Sequence, residues 1–162
     1  DMLRKLSGYS YAELAKIIVD TPESNWKFNH GYPQTEHYHD ANTEHYSLYG
    51  VAPPSIKTFA DKRFSKWSVA ILEQRPGMVI PLHQDTYYKF KQQNDAHGQE
   101  VVRYNVFLDD WHPGHYMEVN AKPIVEWRMG DLVRLTSDIP HRTGNIGTAY
   151  KYTCQITGVE RG

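Results

Sequence analysis

Pro140-His141-Arg142-Thr143-Gly144-Asn145-Ile146-Gly147, with Tyr150-Lys151-Tyr152-Thr153-Cys154-Gln155-Ile156-Thr157 just beyond it, joins a proline-restricted entry, a glycine-rich turn and a β-like run. Pro140 restricts Ile139 to extended backbone and disfavours a helix, so His141 is expected near a strand start. Gly144-Asn145-Ile146-Gly147 is a turn signal between two β-like stretches. A hairpin there would fold Lys151 back beside the His141 strand. In the second stretch Tyr152, Cys154 and Ile156 share one face and Thr153 and Gln155 the other. Cys154 is therefore expected to be a packed core thiol, and it is assigned no chemistry, because a reactive thiol needs an electropositive, accessible setting.

Upstream, His83-Gln84-Asp85 follows the apolar, partly β-branched run Met78-Val79-Ile80-Pro81-Leu82 and the turn-like Arg75-Pro76-Gly77. On an extended segment, side chains at i and i+2 leave the same face, so His83 and Asp85 can reach one ion, whereas a helix would turn them apart. With His141 they make two imidazoles and one carboxylate. That is the ligand set of a non-haem Fe(II) site with open coordination positions. Taken alone, a His-x-Asp triplet is more often a surface or hydrogen-bonded pair than a metal site.

The longer run decides between these readings. Trp127-Arg128-Met129-Gly130-Asp131-Leu132-Val133-Arg134-Leu135, then the His141 stretch, then the Lys151 stretch, resembles the closing strands of the double-stranded β-helix in Fe(II)/2-oxoglutarate-dependent oxygenases. In that superfamily a Gly-Asp turn feeds a strand, the distal histidine follows, and a basic residue lies about ten positions later. The resemblance runs from about Trp67 to Val159 and leans toward the prolyl-hydroxylase-like and aspartyl/asparaginyl-hydroxylase-like branches. It implies a mainly β, jelly-roll or cupin-like fold with a supporting N-terminal helix. It matches His83, Asp85 and His141 to the catalytic iron ligands. Lys151 matches the basic residue that holds the distal carboxylate of the co-substrate 2-oxoglutarate, a position where many members carry Arg. The implied reaction is hydroxylation of a peptide side chain or small metabolite with release of succinate and CO2.

Lys151 also has a case of its own. A lysine offers a compact charge with three donors, suited to one end of a dicarboxylate whose other end chelates iron. The alternative is a solvated strand lysine, but the neighbours Tyr150 and Tyr152 argue against a simple wet edge. In Val101-Val102-Arg103-Tyr104-Asn105-Val106-Phe107-Leu108, residues Val102, Tyr104, Val106 and Leu108 read as core. Arg103 and Asn105 then project from the opposite face, where an arginine fork could bind a carboxylate of co-substrate or substrate, or make an external salt bridge. Arg142 should point away from His141.

A rival constellation, His37-Tyr38-His39 with His45, could form a Zn or cupin-type second site. The segment from Gln34 to Tyr46 is polar and aperiodic, and is read as a loop with exposed or hydrogen-bonded histidines. His30, His97, His112 and His115 receive the same reading. Two other function classes stay open: a metal-dependent cupin-like isomerase or hydrolase on the same three ligands, and a non-catalytic jelly-roll binding protein.

The chain has 162 residues and is read as one domain, with residues 1–66 an N-terminal helix and loop-rich region and 67–159 the β-helix core. A net charge of -1 and pI near 6.8 give no footprint for nucleic acid. No apolar run would span a bilayer, and no signal-peptide pattern opens the sequence. The single cysteine excludes an internal disulfide and suits a reducing compartment, so a cytoplasmic location is expected. Ser10-Tyr11-Ala12-Glu13 reads as a capping box for a helix through Val19, with Ala12, Ala15, Ile18 and Val19 as its apolar stripe. Trp26-Lys27-Phe28 is a candidate first strand, and Trp67 to Glu73 a buried one. The loops before Pro53-Pro54 are candidates for substrate contacts. Tyr87 to Glu100 has the composition of a mobile lid or an exposed connector.

Overall fold

A computed structural model describes residues 3–5, 11–29 and 45–162. The described strands are β1 (Leu3–Lys5), β2 (Lys27–Asn29), β3 (His45–Tyr49), β4 (Phe64–Gln74), β5 (Val79–His83), β6 (Val102–Phe107), β7 (His115–Val119), β8 (Lys122–Ile124), β9 (Asp131–Leu135), β10 (His141–Asn145) and β11 (Lys151–Glu160). The helices are α1 (Tyr11–Asp20), α2 (Pro54–Arg63) and α3 (Tyr88–Gln93). All strand pairings are antiparallel and fall into two sheets, ordered β1-β9-β6-β11-β4-β3-β2 and β5-β10-β7-β8. The expected mainly β jelly roll is the observed one. No helix among the described residues is long and apolar enough to cross a membrane.

Strand alternation sorts the larger sheet's side chains between two environments. Val69 and Ile71 of β4, Val102, Tyr104 and Val106 of β6, and Cys154 and Ile156 of β11 bury one face against Leu14 of α1 and Ile56 and Ala60 of α2. Burial in this layer pushes the Cys154 thiol up to about 12, as befits an inert core group. Between the sheets, Phe107, Met117, Val119, Trp127, Val133 and Leu135 form a second apolar cluster, with Phe107 stacked on Trp127 at 4.0 Å. The rest of this inner space is lined by polar side chains. Lys151, Thr153 and Thr157 of β11, Asn105 of β6, Gln74 of β4 and Thr143 of β10 are all buried. A polar interior between the two sheets is the feature that positions a site.

Several local expectations need correction. The helix forms, but it buries Leu14 and half-buries Ile17 and Ile18, while Ala12, Ala15 and Val19 face solvent. The larger aliphatics at i, i+3 and i+4 remove more apolar area than the alanines can. Ser10 of the capping box lies outside the described residues, as do His30, His37 and His39. Trp26 follows a 3-10 turn and packs into the core, while the strand begins at Lys27 and is preceded in sequence by β1. Part of the supposed loop is β3, where His45, Ser47 and Leu48 are buried and the strand pairs with β4. The segment from Tyr87 to Glu100 is a packed connector, tied down by a cluster of Tyr87, Phe90, Ala96 and Val101.

The turn at Gly144-Asn145-Ile146-Gly147 does not make a hairpin. β10 and β11 lie in different sheets, and the chain crosses between them. Asn145 directs the crossing: its amide donates to Gln74 O at 2.9 Å and Ala149 O at 2.7 Å, while its oxygen accepts from Gly147 N at 3.0 Å. Gly147 lies against the chain at Pro113 and Gly114, so closely that a Cβ on it would stand 2.1 Å from Pro113 O. Gly147→Ala is expected to destabilise the fold by roughly 1–3 kcal/mol through overpacking against rigid backbone. Chemical denaturation checks this, and an unchanged midpoint would contradict the crossing geometry.

Candidate metal centre

The edge of the smaller sheet brings the histidines together. In the β5–β10 ladder His83 and His141 are directly opposed, and their ring centroids stand 4.2 Å apart. Each ring is anchored by the chain two residues before it: His83 Nδ1 lies 2.7 Å from Pro81 O and His141 Nδ1 3.0 Å from Ile139 O. A carbonyl can only accept, so both Nδ1 atoms carry the proton and both lone pairs sit on Nε2. Asp85 lies beyond the end of β5, with Oδ1 3.7 Å from His83 Nε2 and Oδ2 3.5 Å from His141 Nε2. The three ligand atoms all lie within 4.8 Å of one another, and both histidines are buried. Burial, with His83 adding to it, lowers His141 to about 4, so it stays an uncharged donor at neutral pH.

This set fits a divalent cation. Metal bonds of about 2.0–2.2 Å place neighbouring ligand atoms about 3 Å apart, so small side-chain shifts close the site. Two imidazoles and one carboxylate occupy only one face of a six-coordinate ion, and the carbonyl-anchored Nδ1 atoms fix ring orientation as metal-binding histidines require.

Lys151 reaches the same interior from the other sheet. It is 3% exposed and donates to Thr143 Oγ1 at 2.6 Å and Gln74 Oε1 at 2.9 Å. It has no carboxylate partner among the described residues, and burial alone lowers it to about 7. Gln74 Nε2, also buried, has no hydrogen-bond partner among the described residues. An uncompensated amine beside an idle amide donor is the arrangement that an incoming carboxylate would complete. Thr143 shares the inward face of β10 with His141, and residues i and i+2 on a strand are about 6.6–6.8 Å apart. Lys151 therefore stands about one pleat from the histidines, a spacing suited to a short dicarboxylate.

Arg103 is also inward-facing, but it bonds to Asp85, with Nη1 3.0 Å from Oδ2. Its Nε donates to Thr157 Oγ1, six residues along β11 from Lys151. Asn105 is buried beside it in sequence, with Oδ1 unpartnered. Arg142 points outward and pairs with Glu118. Among the other histidines, His45 is buried on β3, His97 is exposed and His112 pairs with Asp109. His115 is buried with Nε2 2.8 Å from Ala149 O. The one group of ligating side chains among the described residues is His83, Asp85 and His141.

Sequence reasoning passed over Gln74, Thr143 and Thr157. A glutamine closing the apolar run of β4 was a usable signal, because its parity opposes Val69 and Ile71 and aims it between the sheets.

No protein-family model matches the chain, and no curated protein matches it in sequence. Solved structures do match its fold. A prolyl-4-hydroxylase of Pseudomonas putida superposes with a TM-score of 0.61 at 14% identity, over 98% of this chain and 92% of that one. A viral collagen prolyl hydroxylase from Paramecium bursaria Chlorella virus-1, in a 2-oxoglutarate complex, gives 0.59 at 13% identity over 98% and 97%. A predicted oxalate decarboxylase of Thermotoga maritima gives 0.51 at 12% identity over 83% and 92%. At these identities the likeness establishes the fold, which oxygenases and cupins share.

Proposed function

We propose that this protein is an Fe(II)- and 2-oxoglutarate-dependent oxygenase that hydroxylates a peptide side chain or a small molecule. The observation that carries the reading is a 2-His-1-carboxylate cluster facing, within one barrel, a buried lysine that has no acidic partner among the described residues. Fe(II) held by His83, Asp85 and His141 would supply oxygen activation, coupled to conversion of 2-oxoglutarate to succinate and CO2.

The chain's own part is binding, orientation and electrostatics. Lys151 Nζ would donate to the distal carboxylate, with the idle Gln74 Nε2 as a second donor and Thr143 fixing the amine. Trp127, whose ring lies 5.8 Å from Nζ, shields this end with Phe107 and keeps the charge in a poorly solvated setting. Imidazole ligands add no charge to a metal they bind, so a dication held by one carboxylate would stay net positive and favour an anionic co-substrate. Leu82 and Tyr88, both exposed, flank His83 and Asp85 in sequence and offer apolar surface to a substrate.

A cupin-like isomerase would use the same three ligands, and the fold accommodates it. Lys151 favours the oxygenase, because a metal site acting without a dicarboxylate has no use for a buried, unneutralised amine.

Titration of Mn(II)-loaded protein with 2-oxoglutarate between pH 6 and 9, followed by calorimetry, tests this reading. Binding favours the protonated amine, so affinity should be full below about 7 and fall by up to about tenfold per pH unit above it. Absence of binding, or a flat profile, would contradict the proposal. For folding the sign is reversed. Between about 7 and the ordinary lysine value of 10.5 the unfolded chain binds more protons, so this group's contribution to stability rises with pH across that window.

A further inference from the structure

The two imidazoles are held by their own strands, through the His83–His141 ladder pair and the carbonyls of Pro81 and Ile139. Asp85 has no such support, because it lies past the last residue of β5. Arg103 donates to its carboxylate, with Nη1 3.0 Å from Oδ2. Arg103 is in turn tightly placed. Its Nε donates to buried Thr157 at 3.0 Å, and its guanidinium lies 5.3 Å from the Tyr87 ring centroid. Tyr87 adopts a left-handed backbone with φ 55 and donates its hydroxyl to Leu135 O at 2.9 Å. Thr157 of β11 and Tyr87, itself tied to Leu135 of β9, thus hold the Arg103 guanidinium that meets Oδ2 of Asp85.

We infer that Arg103 is a positioning residue for the carboxylate of the metal centre: its grip on Oδ2 fixes the orientation in which Asp85 meets the ion. This rests on the reading of His83, Asp85 and His141 as metal ligands. A carboxylate held at Oδ2 keeps one orientation, whereas an unrestrained one can close on an ion with both oxygens or swing away. Two effects of the guanidinium oppose each other. Its charge repels a cation, while its fork orients the ligand, and outer-shell partners of metal ligands are typically worth about 10–100-fold in affinity. The convergent anchoring favours orientation as the larger effect.

Anaerobic titration with Co(II) alone, read by visible absorption, tests this on wild type, Arg103→Ala, Arg103→Lys and Thr157→Val. Arg103→Ala should raise the Co(II) Kd by about 10–100-fold and change the shape of the bound-Co(II) spectrum. Arg103→Lys keeps the charge but not the fork, and should fall between it and wild type. Thr157→Val should weaken binding a few-fold. If Arg103→Ala fails to fold, the other two variants decide by the same readings. Wild-type affinity and spectrum in the variants, or tighter binding in Arg103→Ala, would overturn the inference while leaving the metal site intact. Absence of Co(II) binding by the wild type would overturn the metal site and the inference with it.

Discussion

His141→Ala is expected to abolish stoichiometric Fe(II) binding, raising the Kd by well over about 100-fold. That lower bound follows because loss of a mere outer-shell partner already costs about 10–100-fold, and His141 supplies one of three ligand atoms. The variant should still fold. His141 is buried, but its protein hydrogen bond is the one to Ile139 O, so its removal costs about 1–3 kcal/mol for the orphaned carbonyl plus a small cavity. Metal analysis after anaerobic loading and desalting, with circular dichroism as the fold control, measures both. Retention of one equivalent of iron by a folded His141→Ala protein would show that the cluster is not the metal site.

Lys151→Met is expected to separate co-substrate binding from everything else. Removing one partner of a buried charge pair costs about 2–5 kcal/mol, so the 2-oxoglutarate Kd should rise roughly 30-fold to several thousand-fold. Iron affinity should stay close to wild type, because Lys151 bonds to Gln74 and Thr143 and to none of the three ligands. Thermal stability should not fall. Among the described residues the buried amine has no counter-ion, and a methionine of similar length fills the volume without that penalty. A drop in Tm accompanied by normal 2-oxoglutarate affinity would assign Lys151 a structural role instead.

The site was more legible than its surroundings, for physical reasons. The spacing of His83 and Asp85 was weak alone, and the resemblance of the run from Trp127 to Thr157 singled them out with His141, which the fold brings together; strand parity separated Val102, Tyr104 and Val106 from Arg103 and Asn105. Parity says nothing about which strands pair. The turn after Gly144 therefore read as a hairpin, although buried Asn145 ties it into a crossover between sheets. Arg103 was placed on the correct face, but a sequence cannot show whether a fork meets a ligand or a neighbouring carboxylate, and here it meets Asp85. β3 was hidden because its inward positions include His45 and Ser47, which carry no apolar alternation, and its burial comes from pairing with β4. α3 was obscured by lysines and glutamines that cover its outer face while Phe90 alone packs inward.

The most direct measurement is anaerobic titration of the metal-free protein with Fe(II) and 2-oxoglutarate together, followed by visible absorption. A charge-transfer band is expected that requires both components, saturates at one equivalent of each, is lost in His141→Ala and needs far more 2-oxoglutarate in Lys151→Met. Iron uptake with no such band at saturating 2-oxoglutarate would contradict the proposed function.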